Sequence, residues 1–213
     1  MERGQVQVFH LAPLSAKIRD WPKIGPDPAL LTAAPRPLTI VSDLTQLTRQ
    51  FYPSLDDLGQ ISPVEASQLP EAYQGLLAHD DHMTVTVEAF HDSLVDVQVL
   101  QQHYDPPYYS RKSLLTRRTD GRSVQLGLIR ICLDLLPQVV RTEVLAGKIP
   151  LGRILIRHHV MRHVQLCQLW RVDPGKELRE HLGLPPGTAF YGRTAQIIVQ
   201  DRPAVELLEM AVP

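Results

Sequence analysis

Residues 108–133 read YYSRKSLLTRRTDGRSVQLGLIRICL, and this stretch decides the fold. Two alternating runs, Tyr108 to Arg118 and Val124 to Leu133, flank Thr119-Asp120-Gly121. Asp-Gly between two such runs signals a β-hairpin, because the turn needs a positive φ that glycine adopts without steric cost. Upstream, Asp105-Pro106-Pro107 makes a tight turn into the hairpin, and Leu94 to Leu100 alternates through Val95, Val97 and Val99. Met83, Val85, Val87 and Ala89 alternate with Thr84, Thr86, Glu88 and Phe90, which predicts a further strand paired with Leu94 to Leu100.

Downstream, Pro137 to Ala146 reads as a helix, Pro150 to Arg153 as a turn leading into an apolar run to Ile156, and Val164, Leu166, Gln168 and Trp170 as in-phase residues of a strand. A short helix from Lys176 to Leu182 should end at Gly183, and two final strands, Ala189 to Val199 and Ala204 to Val212, are joined by Gln200-Asp201-Arg202-Pro203. Toward the N-terminus, Ser42 or Asp43 can cap a short helix carrying Leu44, Leu47, Phe51 and Tyr52. Ser62-Pro63-Val64-Glu65 offers the start of another helix, with Ala66, Leu69, Tyr73, Leu76 and Leu77 as its buried face and a break at Pro70. Antiparallel strands with interspersed helices predict an α+β protein: a single antiparallel β-sheet with helices packed on one face.

The length of 213 residues suits one domain over 1–213 with a substantial core. Of its 18 prolines, Pro13, Pro22, Pro26, Pro28, Pro35 and Pro37 fall early, so residues 1–40 read as a Pro-rich irregular leader. With 22 Lys plus Arg against 23 Asp plus Glu, the chain lacks the basic excess of a dedicated nucleic-acid binder, and no nucleic-acid partner is expected. The N-terminus shows no basic stretch followed by an apolar one, and no apolar run is long enough to span a bilayer. A cytoplasmic location without a membrane span is the expectation. Cys132 and Cys167, the only cysteines, lie in apolar runs without CxxC spacing and read as buried thiols in a reducing compartment.

The chemistry-bearing feature is a set of arginines beside glycines: Gly127-Leu128-Ile129-Arg130, Pro150-Leu151-Gly152-Arg153 and Tyr191-Gly192-Arg193, with a lone carboxylate, Glu209, near the end. Glycine lets a ligand approach the backbone, and the planar guanidinium grips a carboxylate with two parallel hydrogen bonds. Any one pair alone reads as a turn with a solvated arginine; the set points to a pocket for a small, multiply anionic molecule. His79-Asp80-Asp81-His82 and the His159/His163 pair invite a metal reading, but no third ligand is placed and His159/His163 falls in extended chain, so no metal is assigned. Tyr108, Tyr109 and Trp170 are assigned to packing.

From Asp43 to Pro213 the chain resembles chorismate lyase, in particular the branch found in cyanobacteria and some other bacteria. The resemblance is carried in order by Leu47-Thr48-Arg49-Gln50-Phe51, by Met83-Thr84-Val85-Thr86-Val87 as a first sheet strand, and by Arg111 followed by Leu114-Leu115 and Asp120-Gly121. Pro150-Leu151-Gly152-Arg153, Tyr191-Gly192-Arg193, and Arg202-Pro203 followed by Glu209 and Pro213 complete it. It implies an antiparallel sheet with the ligand enclosed beneath helical flaps, and conversion of chorismate to 4-hydroxybenzoate and pyruvate without metal or organic cofactor. In a cyanobacterial relative the product would serve quinone biosynthesis, plastoquinone above all. Loss of the enolpyruvyl ether together with a ring proton makes an aromatic ring, which drives the reaction. The protein's task is then to hold one reactive conformer, exclude water and stabilise developing charge.

Carried over residue by residue, the resemblance implies that Arg111 holds the ring carboxylate, that the Leu151 amide donates to the same end, and that Glu209 faces the ring hydroxyl as proton acceptor or orienting partner. Arg111 and Glu209 are the expected catalytic residues. Gly127 and Leu47 would touch the ligand, Leu47 from an early flap helix. The family's Gly-Arg is here Gly127-Leu128, and Arg130, two residues on, is the candidate replacement for the enolpyruvyl carboxylate, with Arg153 and Arg193 also at hand. Residues 178–213 also resemble the UTRA effector-binding domains of bacterial regulators, which share this fold and bind small molecules without transforming them. That alternative, and a lyase yielding 3-hydroxybenzoate, stay open. A monomer is expected.

Overall fold

The computed structural model describes residues 44–213. The leader expected over residues 1–40 and the cap expected at Ser42 or Asp43 lie outside the described residues. The sheet is built from two meanders that meet at a seam. The first comprises β2 (Val95–Asp105), β3 (Tyr108–Arg117) and β4 (Ser123–Cys132), and the second β5 (Arg162–Pro174), β6 (Phe190–Val199) and β7 (Arg202–Ala211). β4 pairs antiparallel with β7 at the centre, and β1 (Gly59–Val64) adds to the outer edge of β5. The order β1-β5-β6-β7-β4-β3-β2 makes a seven-stranded sheet in which every neighbouring pair is antiparallel.

Strand alternation splits the core into two faces. On one, Ile129, Ile131, Ala195, Ile197 and Leu207 pack beneath α5 (Gln138–Ala146) and α6 (Leu151–Arg157). Alongside, Val95, Leu115 and Leu169 pack beneath α3 (Glu71–Leu77) and α4 (Met83–Phe90). On the other face Leu114, Leu126, Leu128, Leu208 and Met210 meet residues of α1 (Leu44–Thr48), α2 (Leu55–Leu58) and α7 (Lys176–Leu182). The α+β architecture with one antiparallel sheet and packed helices is the one the strand pattern predicts, and α3 to α6 cover the face that carries the site.

Several local readings change. Met83 to Phe90 is helical, not a strand. Met83, Thr84 and Val87 share one helical face and are buried, while Val85 is 48 % exposed. Alternating Val and Thr imitate a strand, and packing against α6 overrides their intrinsic preference. Pro150-Leu151-Gly152-Arg153 is likewise the start of α6 rather than a turn, with Pro150 at the N-cap position, as Pro70 is for α3 and Pro137 for α5. Proline serves there because its fixed φ is compatible and its missing N–H is not needed by the helix. The segment from Ser62 forms the end of β1 and a 3-10 turn, Ala66–Gln68, and helix begins only after Pro70.

β5 carries a register shift between Leu166 and Gln168. A bulge residue reverses the phase of the strand. Val164 and Leu169 therefore pack into the site-bearing face, whereas Trp170 packs against the opposite cluster, so Gln168 and Trp170 leave the phase expected for Val164 and Leu166. Cys132 and Cys167 are free and partly exposed rather than buried. Among the described residues no helix is long and apolar enough to cross a membrane.

Candidate functional site

Register assembles the site. Ser113 on β3 lies opposite Gly127 on β4, Gly127 opposite Glu209 on β7, and Glu209 opposite Arg193 on β6. One row across four strands thus brings a hydroxyl, a bare backbone, a carboxylate and a guanidinium to the same face. Arg111 lies one row along, opposite Ile129, and Gln125 lies one row the other way, opposite Leu115 and Ala211. Strand spacing and rise put the Arg111 and Glu209 Cα atoms about 12 Å apart, so their side chains stand roughly a ring's length from one another along the cavity. A cavity over this row is lined by Arg111, Ser113, Gln125, Gly127, Ile129, Arg193 and Glu209 from the sheet, by His82, Met83 and Thr84 at the start of α4, and by Pro150, Leu151 and Gly152 at the start of α6.

Two glycines have geometric work here. A Cβ at Gly192 would sit 2.8 Å from the Glu209 carbonyl oxygen and 2.8 Å from Met210 Cγ, so the backbones close in and seat Arg193 beside Glu209. A Cβ at Gly127 would meet only Gln125 Nε2 at 3.7 Å and Ser113 Oγ at 4.0 Å, so its missing side chain leaves the cavity floor open.

Arg193, 1 % exposed, donates from Nε to Glu209 Oε2 at 3.0 Å, from Nη1 to the His79 carbonyl at 2.7 Å and from Nη2 to the Asp81 carbonyl at 2.9 Å. It pins the segment before α4 to the cavity floor. Glu209 keeps its other oxygen toward Gln125, whose Nε2 stands 3.5 Å away. Burial pushes the Glu209 carboxyl above the usual carboxylate range, and the Arg193 guanidinium pulls it back. Arg111 is different: 2 % exposed, its Nε and Nη1 are buried with no hydrogen-bond partner, as is Gln125 Oε1. Burial lowers the pKa of the Arg111 guanidinium, with Tyr109 acting the other way. A buried guanidinium with idle donors is costly, and an anion delivered to the cavity relieves that cost.

The roof is made by α4 and α6. Arg153 pairs with Glu88 across these helices, and the same Glu88 oxygen accepts the Val95 amide at 3.0 Å, which occupies Arg153 outside the cavity. His82 Nε2 accepts from Arg162 Nε at 2.8 Å, and burial together with the charges of Arg162 and Arg193 pushes His82 down to about 4. The cavity has room for only a few waters, about 50 Å³, so a ring ligand enters by displacing the roof.

A folded-state His82 value below its ordinary 6.5 means that the unfolded chain binds the proton first as pH falls. Stability from this group is whole above 6.5 and drains away as pH drops toward about 4. His82→Gln keeps an acceptor for Arg162 and is expected to flatten this acid sensitivity. Urea unfolding of both proteins at pH 7 and pH 5 reads it; equal losses on acidification would count against His82.

Of the expected site residues, Arg111, Gly127, Leu151 and Glu209 meet at the cavity. Arg130 does not. Strand alternation turns it with Leu128 to the other face, where its Nε donates to Glu206 Oε2 at 2.7 Å and its guanidinium stacks over Tyr108 at 4.5 Å. The enolpyruvyl carboxylate role expected of Arg130 is therefore corrected. Leu47 also lies away from the cavity, 1 % exposed in the cluster with Leu126, Leu128 and Leu208 behind the sheet, so its expected ligand contact is corrected too. The sequence reading missed Gln125, Ser113, Thr84 and the cavity position of His82. A polar residue two positions before Gly127 in an apolar strand was the available signal for Gln125, because that spacing shares a face. Among the described residues no three His, Cys, Asp or Glu side chains converge on a metal position, and the Asp80 carboxylate accepts the Leu166 amide at 2.8 Å.

No family model matches the chain, and no curated protein matches it. Solved structures do. The effector domain of PhnF from Mycobacterium smegmatis is 13 % identical, with a TM-score of 0.47 over 62 % of this chain and 88 % of that one. PhnF from Mycobacterium smegmatis is 12 % identical, with a TM-score of 0.47 over 62 % of this chain and 64 % of that one, so the match spans a little under two thirds of it. The C-terminal domain of Yurk from Bacillus subtilis is 17 % identical, with a TM-score of 0.38 over 54 % of this chain and 87 % of that one. These likenesses carry no statement about ligand or activity.

Proposed function

We propose that this chain takes a small aromatic carboxylate into the cavity over β3, β4, β7 and β6, and that it acts there as a chorismate pyruvate-lyase. The observation that carries the ligand class is Arg111, buried, on the cavity wall, with two guanidinium nitrogens idle. A buried guanidinium with idle donors calls for an anionic acceptor, and a carboxylate supplies one. Glu209, across one ring's width, accepts from a hydroxyl at the far end, and its raised pKa suits a group that takes a proton and gives it up. The cramped, largely apolar cavity favours expulsion of water while the enolpyruvyl ether leaves with a ring proton lost and the ring becomes aromatic. The lyase chemistry itself rests on the ordered sequence resemblance, and 4-hydroxybenzoate would then feed quinone synthesis.

A second reading, a pocket that binds an effector without turnover, is favoured by one observation. Chorismate is a dianion, Arg130 lies on the other face, and Arg193 is committed to Glu209 and the backbone of His79 and Asp81. One guanidinium with idle donors suits a monocarboxylate.

Incubation of the purified chain with chorismate, with products separated against 3- and 4-hydroxybenzoate standards and pyruvate assayed, tests both. Equimolar 4-hydroxybenzoate and pyruvate are expected. Intact chorismate from a chain that 4-hydroxybenzoate nonetheless stabilises would replace the lyase with the effector pocket. At a hundredfold excess over Kd that stabilisation is about 2.7 kcal/mol, or roughly 5–10 °C in melting temperature. No shift at saturating ligand would remove 4-hydroxybenzoate from the site.

A further inference from the structure

The other idle atom at the cavity is an acceptor. Gln125 is buried on β4, its Oε1 has no partner, and its Nε2 is turned toward Glu209 Oε1 at 3.5 Å. With the amide donor on the carboxylate side, the amide carbonyl is the end left over. Gly127, its neighbour on the same face of β4, has no side chain to fill the space beside it. The Gln125 amide oxygen is therefore a buried acceptor without a donor, on the residue that turns its amide nitrogen to Glu209. A ligand group that only accepts leaves it unsatisfied, and one that donates engages it.

We propose that Gln125 is a specificity-determining residue: its side-chain carbonyl, beside the Glu209 carboxylate, selects ligands bearing a hydrogen-bond donor, a ring hydroxyl or amine, at the end opposite the carboxylate held by Arg111. This rests on the carboxylate-pocket reading above and narrows it to hydroxylated or aminated aromatic carboxylates. A site built to satisfy a hydroxyl penalises its analogue without one, because the buried acceptors are stranded.

The test measures binding of 4-hydroxybenzoate, 4-aminobenzoate and benzoate to the full chain by titration calorimetry, in wild type and in Gln125→Leu. In wild type 4-aminobenzoate, with two N–H donors for Gln125 Oε1 and Glu209, is expected to bind about a hundredfold more tightly than benzoate, and 4-hydroxybenzoate, with a single O–H, about tenfold. In Gln125→Leu the preference for 4-aminobenzoate over benzoate falls about tenfold, because only Glu209 is left to accept from the amine. Gln125→Met, which keeps the side-chain length without the acceptor, repeats the measurement should the leucine variant fail to fold. An unchanged preference in the folded variant overturns the role of Gln125 alone. Absence of binding by all three ligands to wild type overturns the pocket reading, and this inference with it.

Discussion

Arg111→Met is expected to weaken binding of 4-hydroxybenzoate at least tenfold and, in the same protein, to raise the melting temperature of the unliganded chain. Ordinary site residues do not behave this way, and the reason is specific to this arginine. Its guanidinium is 2 % exposed, and Nε and Nη1 have no partner. The folded state therefore carries a desolvated charge that Tyr109 offsets only in part, with two donor nitrogens unused. Methionine fills similar volume without that charge, so the variant is expected to be at least as stable as the wild type. The ligand loses its charge-assisted hydrogen bonding to this residue, about 1.5–3 kcal/mol, which is roughly ten- to a hundredfold in Kd. Arg111→Lys keeps the charge but not the planar fork and should fall between the two in affinity. Thermal melts with and without ligand read both effects. A methionine variant that is several kcal/mol less stable and still binds would show that the guanidinium serves the fold and not the ligand.

Glu209→Ala has the opposite character. It leaves Arg193 buried with its Nε facing an empty position, and removing one partner of a buried pair costs about 3–5 kcal/mol. Because Arg193 also holds the carbonyls of His79 and Asp81, the loss should spread into the segment that leads to α4 and the cavity roof. Glu209→Gln keeps an acceptor for Arg193 and should cost less, while removing the carboxylate that chemistry on a ring hydroxyl needs. Turnover of chorismate is expected to be lost in both, and stability mainly in the alanine variant. The double variant Arg193→Met with Glu209→Ala should be less damaged than the two single losses added together, since the pair is coupled.

The pH response of Glu209 has a definite sign. Its folded value stands above the ordinary carboxylate range, so the folded state keeps the proton to higher pH than the unfolded chain. Its contribution is fully present below the unfolded value and declines as pH rises through the window up to the folded one. Glu209→Gln should erase that decline and leave the low-pH loss of His82, which runs the other way. Urea unfolding across pH 4–8 separates the two groups; a glutamine variant with the wild-type profile would exclude Glu209 as the source.

How much was legible depended on the range of the interaction. The hairpin at Asp120-Gly121, the last two strands and the helices ending at Ala146 and at Gly183 rest on local turn chemistry and side-chain period, and the structure has them where the residues put them. Met83 to Phe90 was misread because its alternating Val and Thr carry a period of two that packing against α6 overrides. Arg111, Gly127, Leu151 and Glu209 could be picked out as a set from motif order, since each lies at a marked place in its element. Arg130 could not be rejected from the sequence, because that depends on which face of β4 turns toward the helices. Gln125 was marked only as a polar residue two positions before Gly127 in an apolar strand, and its part in the site shows only once its carbonyl is found without a partner.

By itself, then, the amino-acid sequence determined an α+β chain with a single antiparallel sheet, the positions of most of its turns, and the residue types able to hold a carboxylate, because these follow from interactions among neighbours in the chain. Only the tertiary structure decided that β4 pairs with β7 in the register that sets Glu209 between Gly127 and Arg193. It alone decided that Arg193 is spent on the fold while Arg111 is left idle. A shift of one residue in a strand reverses every side chain, so the partnership of groups far apart in sequence is set by strand register and by what the opposing helices leave unsatisfied.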